Sequence, residues 1–462
     1  MTSTASSYRE ITDANGRVYR VGETDRDLLG RSRASMVWLP WIAMMAVSVF
    51  EYGYGAAEET LREAHGWSLS QTFWLLSIWA VFQAGIAFPA GRLREKGIVS
   101  ARTAMIAGAA LSAAGFFSIA HSDNLVVAYL GFAVCGGTGV GLVYATCINM
   151  VGKWYPERRG AKTGFVNGGF AYGAVPFIFI FSYALHPSNY AMVLDLVGVF
   201  MLLVLGLSGA LFKDPPKNWW PEQIDPVQWA ASKSGARSLQ KNPPASRQYS
   251  PLEAVKTGML PLMWLSLGIT AGVSLFGISY MVPFAKDLGF GPLVAASSAG
   301  VLSIVNGAGR AVTGAVSDRI GRKQTLLIVL LVSALSLVGL LYAGNAKNEI
   351  AFLFFAFLVG FGGGAFYPMF AALVPDYFGE NNNASNYGLV YSSKLLGSVV
   401  GIGVGASVID NWGYTGAYWL AAASALLSAG IASLLRRPDA AGLPAPARRW
   451  SVRDAAGQPP GR

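Results

Sequence analysis

Apolar runs repeat along the whole chain, separated by short polar segments. Phe73 to Ala90, Val193 to Phe212 and Leu326 to Ala343 hold no Lys, Arg, Glu or Asp except Asp195. A helix of about 20 such residues crosses the roughly 30 Å of bilayer hydrocarbon. Hydropathy places twelve spans at 36–57, 72–90, 102–120, 125–150, 162–185, 190–212, 259–284, 293–314, 323–343, 350–374, 385–409 and 414–435. The pattern predicts an all-α membrane protein. One longer polar stretch, Lys213 to Lys256, is rich in Pro, Ser and Lys and separates six spans from six. The expected organisation is a cytoplasmic tail (1–35), a six-helix bundle (36–212), a cytoplasmic linker (213–258), a second six-helix bundle (259–436) and a cytoplasmic tail (437–462). The linker opens with Asn218-Trp219-Trp220-Pro221, expected at the membrane interface, where Trp prefers to sit.

Composition agrees. The 462 residues are 53% hydrophobic and 13% charged, against about 25% charged in soluble domains. The 55 glycines suit closely packed membrane helices. Cys135 and Cys147 lie twelve residues apart in one predicted helix, roughly 18 Å, which excludes a disulfide between them. Neither a metal nor a cofactor is expected. The start of the chain carries no signal-peptide pattern, so the first span is expected to direct insertion.

The net charge of +10 gathers in alternate loops. The second loop carries Arg92, Arg94, Lys96 and Arg102, the fourth Lys153, Arg158, Arg159 and Lys162, and the eighth Arg319, Arg322 and Lys323. Odd-numbered loops are poor in such residues. The tenth loop breaks the pattern, with Asp376 and Glu380 and no Lys or Arg. The balance predicts both termini in the cytoplasm, with the chain in the cell (inner) membrane. The basic excess then reflects topology and lipid headgroups, with no need for nucleic acid.

The halves repeat. Gly91 matches Gly314 at an offset of 223 residues, as do Gly137, Gly139, Gly141 and Tyr144 with Gly360, Gly362, Gly364 and Tyr367. Gly164 and Gly173 match Gly388 and Gly397 at an offset of 224. Two parallel repeats predict alternating access around a midplane site between them. The segment Gly314-Ala-Val-Ser-Asp318-Arg319-Ile-Gly321-Arg322-Lys323 resembles the signature loop of the major facilitator superfamily. That resemblance implies a conformational latch of Gly314, Asp318, Arg319 and Arg322; the first-half copy, Gly91 to Gly97, reads as degenerate.

Charges inside spans are costly and mark function. Arg310 in the eighth span and Lys394 in the eleventh have Ala87 and Phe170 as first-half counterparts, so the scaffold alone does not demand cations there. Two fixed cations facing one cavity would attract an anion, and a small carboxylate fits them. Snorkelling of Arg310 to the interface and a structural acid partner for Lys394 are the competing readings. Glu51 is the acid well inside a span. It could carry a proton, pair with Lys394 or Arg310, or face an aqueous vestibule if the helix unwinds at Gly53. Asp195 lies near a span end, and His65, His121 and His186 fall at outer loops. Tyr54, Tyr144, Tyr172, Tyr367 and Tyr391 are the candidate cavity aromatics, Tyr391 being three residues before Lys394 and on the same helical face.

Three segments together resemble the oxalate/formate antiporter family: Lys153-Trp-Tyr-Pro-Glu-Arg-Arg-Gly160, Asn306-Gly-Ala-Gly-Arg310 and Tyr387-Gly-Leu-Val-Tyr391-Ser-Ser-Lys394. The resemblance implies that Arg310 and Lys394 are substrate-binding cations, with Tyr144, Tyr367 and Tyr391 near an aromatic cage. It extends more distantly to monocarboxylate transporters, in which an Asp stands where this chain has Asn306. Glu51 and Gly363 depart from the antiporter pattern, and an ionised Glu51 leaves one net positive charge, better suited to a monocarboxylate than to oxalate. The expected function is secondary transport of a small carboxylate by a monomeric carrier and not an enzyme, with proton symport through Glu51 or another small solute as alternatives.

Overall fold

A computed structural model describes residues 8–12, 17–438 and 451–454. Ten of its helical stretches are long and apolar enough to cross a membrane, from Ser35–Gly55 to Asn411–Ser433. The other two expected spans fall short for identifiable reasons. The fifth is broken into Arg159–Tyr172 and Val175–Ala184, because Pro176 supplies no N–H to the turn before it. The eighth, Pro292–Ile320, has the length but carries Asn306, Arg310, Asp318 and Arg319. Both pack against each other across the middle of the molecule, so their polar and small residues meet protein instead of lipid. The fold is therefore that of twelve membrane helices in two pseudo-symmetric bundles.

Within the first span the helix restarts at Val49 after Ser48, whose hydroxyl is bonded to the Met45 carbonyl. It then runs unbroken through Gly53 to His65, so the unwinding at Gly53, one of three alternatives for Glu51, does not occur. The eleventh span pauses at Ser392-Ser393, between Asn383–Tyr391 and Lys394–Ser398. Cys135 and Cys147 are both free thiols.

The sequence repeat becomes a pseudo-two-fold axis. A Cβ on Gly91 would collide with the Ala384 carbonyl, and one on Gly314 with the Gly160 carbonyl. Likewise Gly388 lies on the Ala87 carbonyl and Gly164 on the Arg310 carbonyl. Positions 91 and 87 map onto 314 and 310 at the offset of 223, and 160 and 164 onto 384 and 388 at 224. The second–eleventh and fifth–eighth helix seams are thus images of each other. Only a residue without a side chain permits so close a backbone approach.

On the face that carries the linker, the segments expected to be a tail and an interfacial linker fold together. Strands β1 (Arg9–Thr12), β2 (Val18–Val21) and β3 (Ser451–Asp454) form an antiparallel sheet in the order β2-β1-β3. The remainder of the expected C-terminal tail, 439–450 and 455–462, lies outside the described residues. Trp220 completes a small core with Ile11, Tyr19 and Val21. Trp219 packs edge-on against Trp154 at 4.8 Å and donates to the Glu23 carbonyl at 3.0 Å. The expectation that this Trp pair sits in lipid headgroups is corrected. Trp219 and Trp220 are buried in protein, because β2 pairs its Arg20 with Asn218 and Trp220 of the linker.

Candidate functional site

The helix seams bring together residues far apart in the chain. Arg310 is 1% exposed, so it does not snorkel. Its Nη1 donates to Asn167 Oδ1 at 2.7 Å and to the Asn167 carbonyl at 3.2 Å, and its Nη2 to Asn306 Oδ1 at 2.8 Å and Tyr52 Oη at 2.9 Å. All four bonds end on neutral acceptors. The guanidinium carbon also lies 4.8 Å from the Tyr367 ring centre and 5.9 Å from that of Phe170, within range of cation–π attraction.

Lys394 is equally buried, at 1%. Its Nζ lies 2.7 Å from both Glu51 oxygens and 2.8 Å from Gln83 Oε1. Gln83 Nε2 in turn donates to Glu51 Oε2 at 3.1 Å. Glu51 is therefore ion-paired with Lys394 and 7% exposed, with no hydrogen bond or ion pair to Arg310 among the described residues. Phe170 lies between the two cations, 5.7 Å from Lys394 Nζ.

Tyr144 and Tyr391 stack at 4.6 Å, and Tyr367 stands 6.2 Å from Tyr391. Tyr144 donates to Asn167 Oδ1 at 3.1 Å, which links this aromatic group to Arg310. Two expected aromatics lie elsewhere. Tyr54 donates to the Thr72 carbonyl at 2.7 Å and stacks on Phe132, inside the first bundle. Tyr172 accepts a bond from Trp41 Nε1 at 2.6 Å, and its ring fills the space above Gly307. Tyr54 and Tyr172, expected as cavity aromatics, are thus engaged in helix packing apart from the Tyr144, Tyr367 and Tyr391 group.

Sequence reasoning passed over Tyr52, Gln83 and Asn167 as site residues. Gln83 carried a signal, being the one side-chain amide in the apolar run from Phe73 to Ala90. Tyr52 and Asn167 carried none. Gln83 has an amide image: position 83 maps onto 306 at the offset of 223, so each half sets an amide at the same place, Gln83 bonded to Lys394 and Asn306 to Arg310, although the two cations are not images of each other.

Of the residues expected to form a latch, Asp318 and Arg322 join an ion-pair network with partners from other segments. Asp318 accepts the Ala161 N–H at 3.1 Å and pairs with Arg322 at 2.8 Å. Arg322 reaches Asp376 at 2.5 Å, and Arg159 bridges Asp376, at 3.9 Å, and Glu380. Arg17, immediately before β2, adds a 3.1 Å pair to Glu380. Burial opposes charge on Glu380, yet Arg159 and Arg17 hold its carboxyl below the usual range. The anomalous acids of the tenth loop are thus counter-ions for cations on other segments. Arg319, by contrast, is exposed and lies outside this network, because it points away from the seam that Asp318 and Arg322 face. Among the described residues no group of three or more His, Cys, Asp or Glu side chains could hold a metal ion.

A family model described as Major Facilitator Superfamily matches residues 40–354 and 301–459. The oxalate:formate antiporter of Oxalobacter formigenes is 24% identical over 394 residues, covering 85% of this chain and 89% of that protein. Monocarboxylate transporter 13 of Bos taurus is 24% identical over 337 residues, covering 71% and 72%. The human organic anion transporter MFSD10 (TETRAN) shares the fold, with a TM-score of 0.62 at 15% identity over 86% of this chain and 98% of that one. With the family model spanning both helix bundles, the chain belongs to the Major Facilitator Superfamily, as a multi-pass membrane transporter.

Proposed function

We propose that this transporter moves a small carboxylate anion by alternating access, with Arg310 and Lys394 as the cationic centre of its site. The observation that carries the reading is the environment of Arg310. A buried guanidinium whose hydrogen-bond partners are all neutral leaves a full positive charge unbalanced in a low-dielectric seam. An anion brought from outside the protein balances it. The likeness to an oxalate:formate antiporter and a monocarboxylate transporter supports the same substrate class. Tyr144, Tyr367 and Tyr391 supply rings and hydroxyls around the anion.

In this reading the halves 36–212 and 259–436 rock about the two glycine seams. The Asp318–Arg322–Asp376–Arg159 network latches the face that carries the linker and the terminal sheet. The distribution of Lys and Arg among the loops supports placing that face in the cytoplasm of a cell whose inner membrane holds the carrier. Two bundles enclosing one site make a complete transport unit, so a monomer suffices.

Purified protein in proteoliposomes tests this. Uptake of a labelled small carboxylate, formate being the simplest, is expected, and Arg310→Ala and Lys394→Ala are each expected to abolish it. Retained uptake in both variants would overturn the site, and absence of flux for every carboxylate would favour a carrier of another solute. Exchange requires an anion on the far side, whereas proton symport requires a pH gradient. If symport is found and Glu51→Gln leaves it unchanged, Glu51 is not the proton carrier.

A further inference from the structure

The two cations of the site are not equivalent. Lys394 has three ammonium protons, and its three short contacts are the two oxygens of Glu51 and the amide oxygen of Gln83. Its charge is balanced and its donors are spent. Glu51, in turn, has its remaining bond from Gln83 Nε2. Around Arg310 the situation is the reverse. Arg310 Nε, Asn306 Nδ2 and Asn167 Nδ2 are all buried without a hydrogen-bond partner, and the residues that carry them are at most 1% exposed.

The pseudo-two-fold does not relate the two cations to each other, since their images are Ala87 and Phe170, but it does relate the side chains that Glu51 and Gln83 supply to those of the second half. Position 51 maps onto 274 at the offset of 223, and residue 274 is a serine, whose hydroxyl is bonded to the Gly363 carbonyl at 2.6 Å. The amide of each pair is kept, as Gln83 and Asn306, while the carboxylate is present in one half alone. A carboxylate stands on Lys394, and no counterpart stands on Arg310.

We propose that Glu51 is a specificity-determining residue: as a built-in ligand of Lys394 it fills the second carboxylate position, so that the carrier accepts monocarboxylates at Arg310 and rejects dicarboxylates. This rests on the carboxylate reading of the same site. A monocarboxylate at Arg310 brings the buried charge of Arg310, Lys394 and Glu51 to zero and meets donors that are otherwise unpaired. A dicarboxylate leaves one surplus negative charge. It must also either leave its second carboxylate unpaired or expel Glu51 from Lys394, and an unpaired buried carboxylate is strongly disfavoured.

The test is equilibrium binding to the purified full-length protein, with formate and acetate against oxalate and malonate. Wild type is expected to prefer the monocarboxylates by about tenfold or more. In Glu51→Gln, Lys394 is released, oxalate affinity rises by about tenfold or more, and the preference inverts. That gain is expected to vanish in Glu51→Gln/Lys394→Gln. Equal or better wild-type binding of oxalate overturns the proposal while leaving the carboxylate reading intact. An unchanged preference in Glu51→Gln, or an oxalate gain that persists in the double variant, does the same. Absence of binding of either class overturns both. The wild-type comparison needs no variant, so it decides the matter even if an unpaired Lys394 prevents Glu51→Gln from folding.

Discussion

Glu95 accepts the backbone N–H of Ser385 through Oε1 at 3.2 Å, joining the end of the second span to the start of the eleventh. This bond is the two-fold image of the one from Ala161 to Asp318, since 95 maps onto 318 at the offset of 223 and 161 onto 385 at 224. In each case an acid of one half caps unsatisfied N–H groups in the first turn of a helix of the other. The signature loop of the first half, which reads as degenerate in sequence, retains the one side chain that this cap requires.

Removing either cap charge therefore weakens closure of this face. Glu95→Gln and Asp318→Asn are each expected to cost about 1 kcal/mol of stability. Because the two acids lie in separate seams, the losses should add in the double variant. Thermal unfolding in detergent measures this. A double variant no less stable than the singles would show that the two caps do not act independently.

The seams themselves predict a second effect. Gly164→Val or Gly388→Val places a side chain against a backbone carbonyl of the opposite half, and overpacking of this kind costs about 1–3 kcal/mol. The penalty falls on the closed state, so uptake should drop by about tenfold or more while the protein stays monodisperse on size exclusion. Normal uptake would mean that the seams need not close during transport.

Asn306→Asp should silence Arg310 as an anion site. The new carboxylate would stand where Asn306 Oδ1 now lies, 2.8 Å from Arg310 Nη2, and would balance the guanidinium internally. Formate affinity is expected to fall by about tenfold or more, read as loss of ligand-induced thermal stabilisation. Undiminished stabilisation by formate would place the anion elsewhere.

Asp214, just beyond the sixth span, gives a pH dependence. Burial alone would raise its pKa, but Arg94, 2.8 Å from both oxygens, and Lys153, at 3.4 Å, hold it at about 2. The folded value lies below the ordinary 3.8, so the stabilisation is present above about pH 4 and is lost as the pH falls toward about 2. Its side chain is 30% exposed, and solvent screening limits the contribution to about 1 kcal/mol. Asp214→Asn should lower stability by that amount at pH 6 and by only a small part of it at pH 2, as measured by unfolding of the two proteins in parallel. A constant difference across that range would assign the effect to packing.

The span count, the two-half repeat and the two cations were legible in the linear chain because each is a local property. Hydrophobicity over about 20 residues specifies a membrane helix wherever it packs, and a charge within such a run is conspicuous whatever it touches. The tenth-loop acids and the Trp pair were misleading for the opposite reason. Their partners, Arg159, Arg322 and Trp154, lie on other segments, and sequence distance says nothing about who neutralises or buries whom.

Among the site residues the same division holds. Arg310, Lys394 and Glu51 stood out by themselves and Gln83 gave a weak signal as a lone amide in an apolar run, whereas Tyr52 and Asn167 acquired their place from helix rotation alone. Likewise Tyr54 and Tyr172 could not be told from Tyr144 and Tyr391 until the side facing each was known. The sequence by itself determined that a bilayer-spanning double bundle carries two cations and an acid in its core. Only the tertiary structure decided that the acid is spent on Lys394 and that Arg310 meets neutral acceptors alone. The pairing depends on two glycine seams that bring helices from opposite halves into backbone contact, and a contact of that kind is fixed by packing in three dimensions.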